Sequence, residues 1–371
     1  MEDLSVTLCG LRLKNPLILA SGPLSWSAES ILAAFAAGAA AVVTKTIRPE
    51  ATLNPVPHIA DIGRGSLLNI EGWSDLPARQ WIEQELPALA RRDGVLIAST
   101  GHTPLEVEQL AGPLAEGGAD MLELVSYRAE DAAPMVAAAR RNVRVPVLIK
   151  VSANWRNLLE VVAACLDAGA DGITAIDSVG PALRVDIETG QPLLGSFAWL
   201  SGEAIRPVAL RVVADICLAC QVPVIGTGGV SRAEEVVEMI MAGATAVGVH
   251  TAPLLSGLGW FGKTLNRLKG WLRERGHARL ADLRGLALPS LRQPLSPIPL
   301  IFAFDPERCT RCGRCATVCA YNARHLTSTG DMVFDQVRCR SCGLCTYICK
   351  TGALRASPGG RPSAGPGYWG G

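Results

Sequence analysis

Two copies of one cysteine pattern lie near the end of the chain, and nothing else constrains its fold as tightly. The first copy is Cys309-Thr-Arg-Cys312-Gly-Arg-Cys315-Ala-Thr-Val-Cys319; the second is Cys339-Arg-Ser-Cys342-Gly-Leu-Cys345-Thr-Tyr-Ile-Cys349. Each reads C-x2-C-x2-C-x3-C. Three closely spaced thiolates can wrap one side of a compact inorganic body, which is what a cubane iron–sulfur cluster needs. Zinc or disulfides are the alternatives. Zinc sites use two cysteine pairs rather than a doubled run of four, so the clusters fit better. Gly313 and Gly343 recur at the same place in each copy and leave room for backbone amides to approach sulfide.

The doubled run is similar to that of two-cluster ferredoxins. In those proteins each cluster takes its fourth thiolate from the other half. The resemblance implies two [4Fe-4S] clusters, one held by Cys309, Cys312, Cys315 and Cys349, the other by Cys339, Cys342, Cys345 and Cys319. The proline that follows the fourth cysteine in that pattern is replaced here by Ala320 and Lys350.

The 371 residues suffice for one large domain and a small one, and 49% hydrophobic residues can build a sizeable core. A net charge of +1 provides no basic field for nucleic acid. The cysteines outside the two runs, Cys9, Cys165, Cys217 and Cys220, sit in apolar segments and read as buried thiols. Oxygen-sensitive clusters beside free thiols point to a reducing cytoplasm. Residues 1–10 lack a charged-then-apolar signal pattern, and no run of about 18 apolar residues predicts a membrane span.

Through the first 275 residues, apolar runs alternate with stretches of helical period. The runs 17–20, 41–45, 95–99, 121–125, 147–151, 172–176, 222–226 and 246–249 read as strands. Helical stretches follow them, as at 157–168 and 203–219. Ala-Gly-Ala or Gly-Gly-Ala at 37–39, 117–119, 168–170 and 242–244 marks four helix-to-strand turns, where glycine caps the helix. Eight consecutive βα units predict an α/β fold, a closed (βα)8 TIM barrel over residues 1–276. A doubly wound sheet is the alternative, and the unbroken series argues against it.

Two insertions, 47–77 and 183–200, follow strands and therefore sit on the C-terminal face, where barrel enzymes work. The second contains Asp186-Ile-Glu-Thr-Gly190, which reads as a hairpin. Pro289, Pro294, Pro297 and Pro299 predict a stiff linker over 277–303. A small ferredoxin-like α+β domain follows over 304–355, and the Gly/Pro-rich residues 356–371 read as a disordered tail.

Phosphate sites in such barrels lie at the loops after strands seven and eight. Here those loops are Gly226-Thr-Gly228-Gly229 and Gly248-Val-His250-Thr251, whose glycines free backbone amides to face an anion. Two tight turns without a ligand are the plainer reading. Lys45 and Lys150 end or interrupt apolar strands, and a buried charge needs a partner. A flavin ring is one such partner, because a cation near its N1 and C2 carbonyl stabilises the anionic reduced form. A barrel carboxylate such as Glu123 is another.

The segments Asn15-Pro16-Leu17, Thr44-Lys45-Thr46, Leu68-Asn69-Ile70-Glu71, Ile149-Lys150-Val151 and Thr227-Gly228-Gly229 resemble the dihydroorotate dehydrogenase superfamily. So does the run from Ser201-Gly202 through Ile205-Arg206-Pro207 to Leu210. The closest likeness is to the FMN and iron–sulfur part of dihydropyrimidine dehydrogenase. The resemblance covers nearly the whole chain and implies bound FMN. It implies cofactor contacts from Ala20, Ser21, Lys45, Thr46, Asn69, Lys150, Ser178, Ser201, Gly202, Gly228, Gly229 and Thr251. His250 could donate to the phosphate, and Asn69 would also face the substrate.

The chain departs from that family at the reacting end. The family has an Asn and then Ser-Cys-Pro after strand four, and the cysteine is its general acid/base. Here the run is Glu123-Leu124-Val125-Ser126-Tyr127-Arg128-Ala129, which places Arg128 or, with a one-residue gap, Tyr127 at the cysteine. A second substrate-reading Asn is replaced by Asp177. A carboxylate there would repel an anionic substrate such as orotate and favour N–H donors or a cation, unless it merely pairs with a nearby Arg or Lys. Tyr127 reads either as a proton donor or as a packing lid.

Together these readings predict an FMN- and iron–sulfur-dependent oxidoreductase acting on a CH–CH or C=C bond of a small cyclic or conjugated, non-orotate substrate. Tyr127, Asp177 and Asn69 are its candidate catalytic residues. With no G-x-G-x-x-G after a strand, a redox partner is expected, either a flavin–NAD(P) subunit or a ferredoxin. Homo- or hetero-oligomers are compatible with this. The alternative is an electron-relay subunit without substrate chemistry of its own. A filled space between Asn69, Tyr127 and Asp177 would favour the relay, and an open one the enzyme.

Overall fold

The computed structural model describes residues 2–293 and 299–358. All eight predicted strands form, as Leu17–Leu19, Ala41–Val43, Val95–Thr100, Met121–Val125, Val147–Val151, Gly172–Ala175, Val224–Thr227 and Ala246–Val249. They pair in parallel in sequence order, and the last pairs with the first through Val247 opposite Leu17, closing the barrel. Helices follow the strands, for instance Pro104–Glu116, Leu158–Asp167 and Arg206–Ala219.

The four Ala-Gly-Ala and Gly-Gly-Ala turns share one geometry. Gly38, Gly118, Gly169 and Gly243 have φ of 113°, 105°, 103° and 116°. The amide after each reaches back five residues: Ala39 to Ala34, Ala119 to Leu114, Ala170 to Cys165 and Ala244 to Met239. This is the C-terminal helix lock that a left-handed residue permits. It turns each helix sharply into the next strand and so keeps the loops at that end of the barrel short.

An antiparallel hairpin, Val6–Leu8 with Leu11–Leu13, joins the barrel interior. Leu8 and Leu13 are fully buried in one cluster with Ile18, Ile97, Met121, Leu148 and Ile225. A larger apolar layer fills the space between strands and helices. With one end plugged, substrate access falls to the other.

The two insertions meet at the C-terminal face. Strands Ile59–Gly63 and Ser66–Asn69 from the first pair with Val179–Ala182 and Ala198–Gly202 around the second, in one four-stranded antiparallel sheet. The predicted turn at Asp186 forms, with the Gly190 amide donating to the Asp186 carbonyl. Strand pairing between segments more than a hundred residues apart places Asn69 opposite Trp199.

The boundaries differ from expectation. The chain divides into compact units at Arg292 rather than at 276. The first half of the expected linker is packed structure: Leu280 and Leu283 are buried in the barrel core, and the Arg284 guanidinium donates to the Gly243 carbonyl. Proline had suggested stiffness, but Leu280 and Leu283, ahead of the first of these prolines, had a core to join. In the second unit, Leu300–Phe304 pairs antiparallel with Leu354–Pro358, and Arg324–Leu326 pairs with Met332–Phe334. That unit therefore extends beyond 304–355 at both ends. Residues 356–358 belong to a strand, while the rest of the expected tail and Pro294 and Pro297 lie outside the described residues.

Candidate active site and cluster sites

The barrel mouth opens into a cavity of about 480 Å³, within the range of small-molecule sites. Every residue named above as catalytic or flavin-contacting lines it. The strand ends and the inserted sheet bring them together: Lys45 and Thr46 follow strand two, Lys150 lies in strand five, Asp177 follows strand six, and Asn69 and Ser201 come from the inserted sheet. Glu71, Trp73, Thr227 and Arg232 line the cavity as well, and sequence reasoning assigned them no role.

Neither lysine is free. Lys45 Nζ lies 2.8 Å from Glu71 and 2.6 Å from Asp75. Burial would raise the Asp75 pKa, but the hydrogen bond and charge of Lys45 outweigh it and hold the carboxyl below its usual range. Lys150 Nζ lies 3.4 Å from Asp177 Oδ1. Burial opposes the Lys150 cation, yet the charges of Asp177 and Glu123 win and raise its pKa. The fully buried Glu123 has a raised pKa, from burial first, and accepts from the Thr174 hydroxyl at 2.7 Å. Among the open readings for Lys150, its ion-pair partner is Asp177 rather than Glu123.

Tyr127 stacks on Trp199 at 5.0 Å and 11°, while Trp73 lies tilted by 30° at 5.2 Å and His102 edge-on at 5.4 Å. This places the ring in a lid over the mouth. Shielding of its hydroxyl and the charge of Asp177 hold its pKa above the usual phenol value, so it stays protonated at neutral pH. His102 belongs to the aromatic cluster, not to the cavity lining. The Asn69 side-chain amide donates to the Trp199 carbonyl at 3.3 Å, which ties this group to the same lid.

The opposite end of the cavity has the features of a polar cradle. Gly228 and Gly229 have φ of 131° and 77°. A Cβ on Gly229 would lie 2.8 Å from the Arg206 amide and from the Gly202 carbonyl, so only glycine fits there. Thr227 Oγ1 and His250 Nε2 are buried without a protein partner. Such groups need a hydrogen bond, which a hydroxyl- and phosphate-bearing cofactor supplies. The Nδ1 of His250 meets the Ala20 carbonyl at 3.0 Å, and burial lowers the ring's pKa to about 4. The Nδ1 proton is thus committed to Ala20, and Nε2 is the ring nitrogen left without a protein partner.

In the second unit, Cys309, Cys312, Cys315 and Cys349 ring one cavity of about 140 Å³. Cys319, Cys339, Cys342 and Cys345 ring a second, narrower one. These are the two crossed sets. Among the described residues no group of three or more His, Cys, Asp or Glu side chains converges closely enough to hold a single metal ion. Thiols set round a cavity suit a cubane better than zinc, whose ligands meet at one point. The Arg311 and Ser341 amides donate to Cys309 Sγ and Cys339 Sγ, each at 3.4 Å. Gly313 and Gly343, with φ of 73° and 80°, start the short helices Arg314–Thr317 and Leu344–Tyr347. Their left-handed backbone is a further reason for glycine. Of the four remaining cysteines, only Cys165 is fully buried; Cys9, Cys217 and Cys220 are half-buried.

The sequence profile of the dihydroorotate dehydrogenase family matches residues 3–272. The chain belongs to that family. A 4Fe-4S dicluster domain matches residues 308–353, so this dihydroorotate dehydrogenase family member carries an iron–sulfur domain after its barrel in the chain. It is similar to the protein named dihydroorotate dehydrogenase B (NAD(+)), catalytic subunit, from several organisms. Identity is 37% over 302 residues with that of Methanosarcina mazei, covering 76% of this chain and 95% of the relative. It is 33% over 305 residues for Pelobacter propionicus and 31% over 301 for Methanothermobacter thermautotrophicus, each covering 76% of this chain and 98% of the relative. No helix among the described residues is long and apolar enough to cross a membrane.

Proposed function

We propose that this chain is an FMN-dependent oxidoreductase acting on a carbon–carbon bond of a small cyclic or conjugated compound other than orotate, with electrons passing through two [4Fe-4S] clusters. When bound, FMN supplies both hydride exchange with carbon and one-electron exchange with the clusters. The Gly228-Gly229 backbone would hold the phosphate end, and Thr227 and His250 Nε2 would meet hydroxyls of the chain. Lys45 and Lys150 would place positive charge near the ring.

One observation carries the substrate reading: both lysines of the mouth are already paired with carboxylates, Lys45 with Glu71 and Asp75, Lys150 with Asp177. An anionic substrate would find no uncommitted cation there and would face Asp177 directly. A neutral ring rich in N–H donors, or a cation, is favoured. The absence of the family's Ser-Cys-Pro run points the same way. Tyr127, which stands there with a one-residue gap as Arg128 does without one, would bring a hydroxyl that stays protonated, which suits donation better than abstraction.

The likeness to the curated catalytic subunits supports a redox partner, either a flavin–NAD(P) subunit or a ferredoxin, in a reducing cytoplasm. Asn69, Tyr127 and Asp177 line one open cavity rather than filling it, which favours the enzyme over a pure relay. The deciding experiment is an anaerobic screen of unsaturated cyclic compounds for reoxidation of the reduced flavin. Brisk turnover of dihydroorotate would overturn the substrate reading, and failure of every compound would return the relay to first place.

A further inference from the structure

The two cluster cavities are built by the same local structure, which makes their one large difference conspicuous. Five residues after the fourth cysteine of each run, a strand begins: Arg324–Leu326 after Cys319, and Leu354–Pro358 after Cys349. Arg324 and Leu354 are equivalent positions in the repeat, and they are equally hidden, at 4% and 3% exposure. Leu354 lines the cavity of Cys309, Cys312, Cys315 and Cys349, and Arg324 lines that of Cys319, Cys339, Cys342 and Cys345. One cavity is lined there by an apolar residue and the other by a buried cation.

Among the described residues Arg324 forms no ion pair with a carboxylate; its side chain hydrogen-bonds the Cys345 thiol of that cavity, while its Nη2 is buried without a hydrogen-bond partner. Its guanidinium packs 4.1 Å over the Phe334 ring and 4.7 Å over the Phe302 ring. Such stacking offsets only part of the burden of an uncompensated buried charge. A negatively charged cluster in the cavity that Arg324 lines would supply the missing counter-charge. Exposed cations also border the cavities, Arg311, Arg314 and Lys350 at the first and Arg340 at the second. Arg311 is 3.5 Å from Asp331, and all four are solvated, so their fields are screened. A buried charge acts through a much lower dielectric.

We propose that Arg324 is a positioning residue for electrons: it makes the Cys319/Cys339/Cys342/Cys345 cluster the higher-potential one, so that an electron entering the domain comes to rest there. A cation favours the more negative, reduced cluster, and the leucine at the equivalent place gives no such help. The inference rests on the two-cluster reading, and iron content tests that reading separately.

The test is an anaerobic redox titration of the whole chain followed by electron paramagnetic resonance. A Cys312→Ser variant, which alters the signal of the other cluster, assigns the two. In the wild type the Arg324-side cluster should be reduced first. Arg324→Leu, which copies the other half of the repeat, should lower that cluster's midpoint so that its share of the electron falls about tenfold or more, about 59 mV for a one-electron couple. The other cluster should shift less, and Arg324→Lys should keep most of the wild-type order. The proposal is overturned if the wild type reduces the Cys309-side cluster first. It is equally overturned if Arg324→Leu with full iron content keeps both potentials, or if Arg324→Lys shifts as far as Arg324→Leu. Should Arg324→Leu fail to hold its clusters, the wild-type order and Arg324→Lys still decide. A preparation with iron for only one cluster would remove the two-cluster premise instead.

Discussion

Replacing Asp177 by Asn should open the pocket to anions, and the size of the effect follows from the ion pair it breaks. Asp177 Oδ1 is 3.4 Å from Lys150 Nζ, with side chains 22% and 11% exposed. At an effective dielectric near 20, that separation corresponds to roughly 5 kcal/mol of attraction before desolvation is subtracted. The pair therefore presents almost no net charge to a ligand. In Asp177→Asn a ligand carboxylate about 5–6 Å from Nζ would feel roughly 3 kcal/mol of unopposed attraction. Allowing half of that for desolvation leaves about 1.5 kcal/mol, on the order of tenfold in affinity. The assay is anaerobic titration of the flavin absorbance with orotate, with uracil as the uncharged control. Orotate should gain on the order of tenfold, uracil far less, and the gain should shrink with added salt. It should also vanish at high pH, because Asp177 helps raise the Lys150 pKa and its loss lets the lysine titrate lower. An unchanged orotate affinity in a variant with full FMN content, or tight orotate binding by the wild type, would refute this electrostatic account.

Three other outcomes are expected. Lys45→Met removes the cation between Glu71 and Asp75, leaving two carboxylates, and should lower the flavin potential by an amount on the order of 30 mV, about 1.4 kcal/mol for two electrons; a rise under spectroelectrochemical titration would contradict it. His250 has a folded pKa of about 4, below the unfolded value near 6.5, so only the unfolded chain takes up its proton as pH falls through that window. Stability should therefore be fully present above pH 6.5 and decline by up to about 3 kcal/mol toward pH 4 from this group alone; His250→Asn, measured by denaturant titration, should flatten that slope. Cys319→Ala should disable the cluster of Cys339, Cys342 and Cys345 rather than the one nearest in sequence, as read by iron content and spectroscopy.

The pocket's electrostatics also bear on why its substrate is hard to read. Glu71 and Asp75 lie in an insertion whose sequence shows only prolines, glycines and scattered charge, yet they determine what Lys45 has left to offer. Trp73 and Trp199 come from different insertions and meet only across Tyr127. Their arrangement depends on a sheet whose strands are distant in the chain.

Local patterns were sufficient for much of this protein. Eight apolar runs announced eight strands, because a strand buried on both faces must be apolar along its length. The Ala-Gly-Ala turns announced their own backbone, because only glycine takes the left-handed corner cheaply. Cysteine spacing announced three thiols of each set, because three residues of a short loop already face one body, and the resemblance to two-cluster ferredoxins supplied the crossed fourth. Tertiary structure decided the rest. It tied Lys45 to Glu71 and Asp75, turned the His250 proton toward Ala20, and drew Leu280 and Leu283 into the core where prolines had suggested a linker. It also buried Arg324 where its repeat partner is Leu354. Each of these is a matter of which charge or apolar surface lies near another, and such distances are set only when the barrel closes and the inserted strands pair or, for Arg324, when the strands of the second unit pair around it.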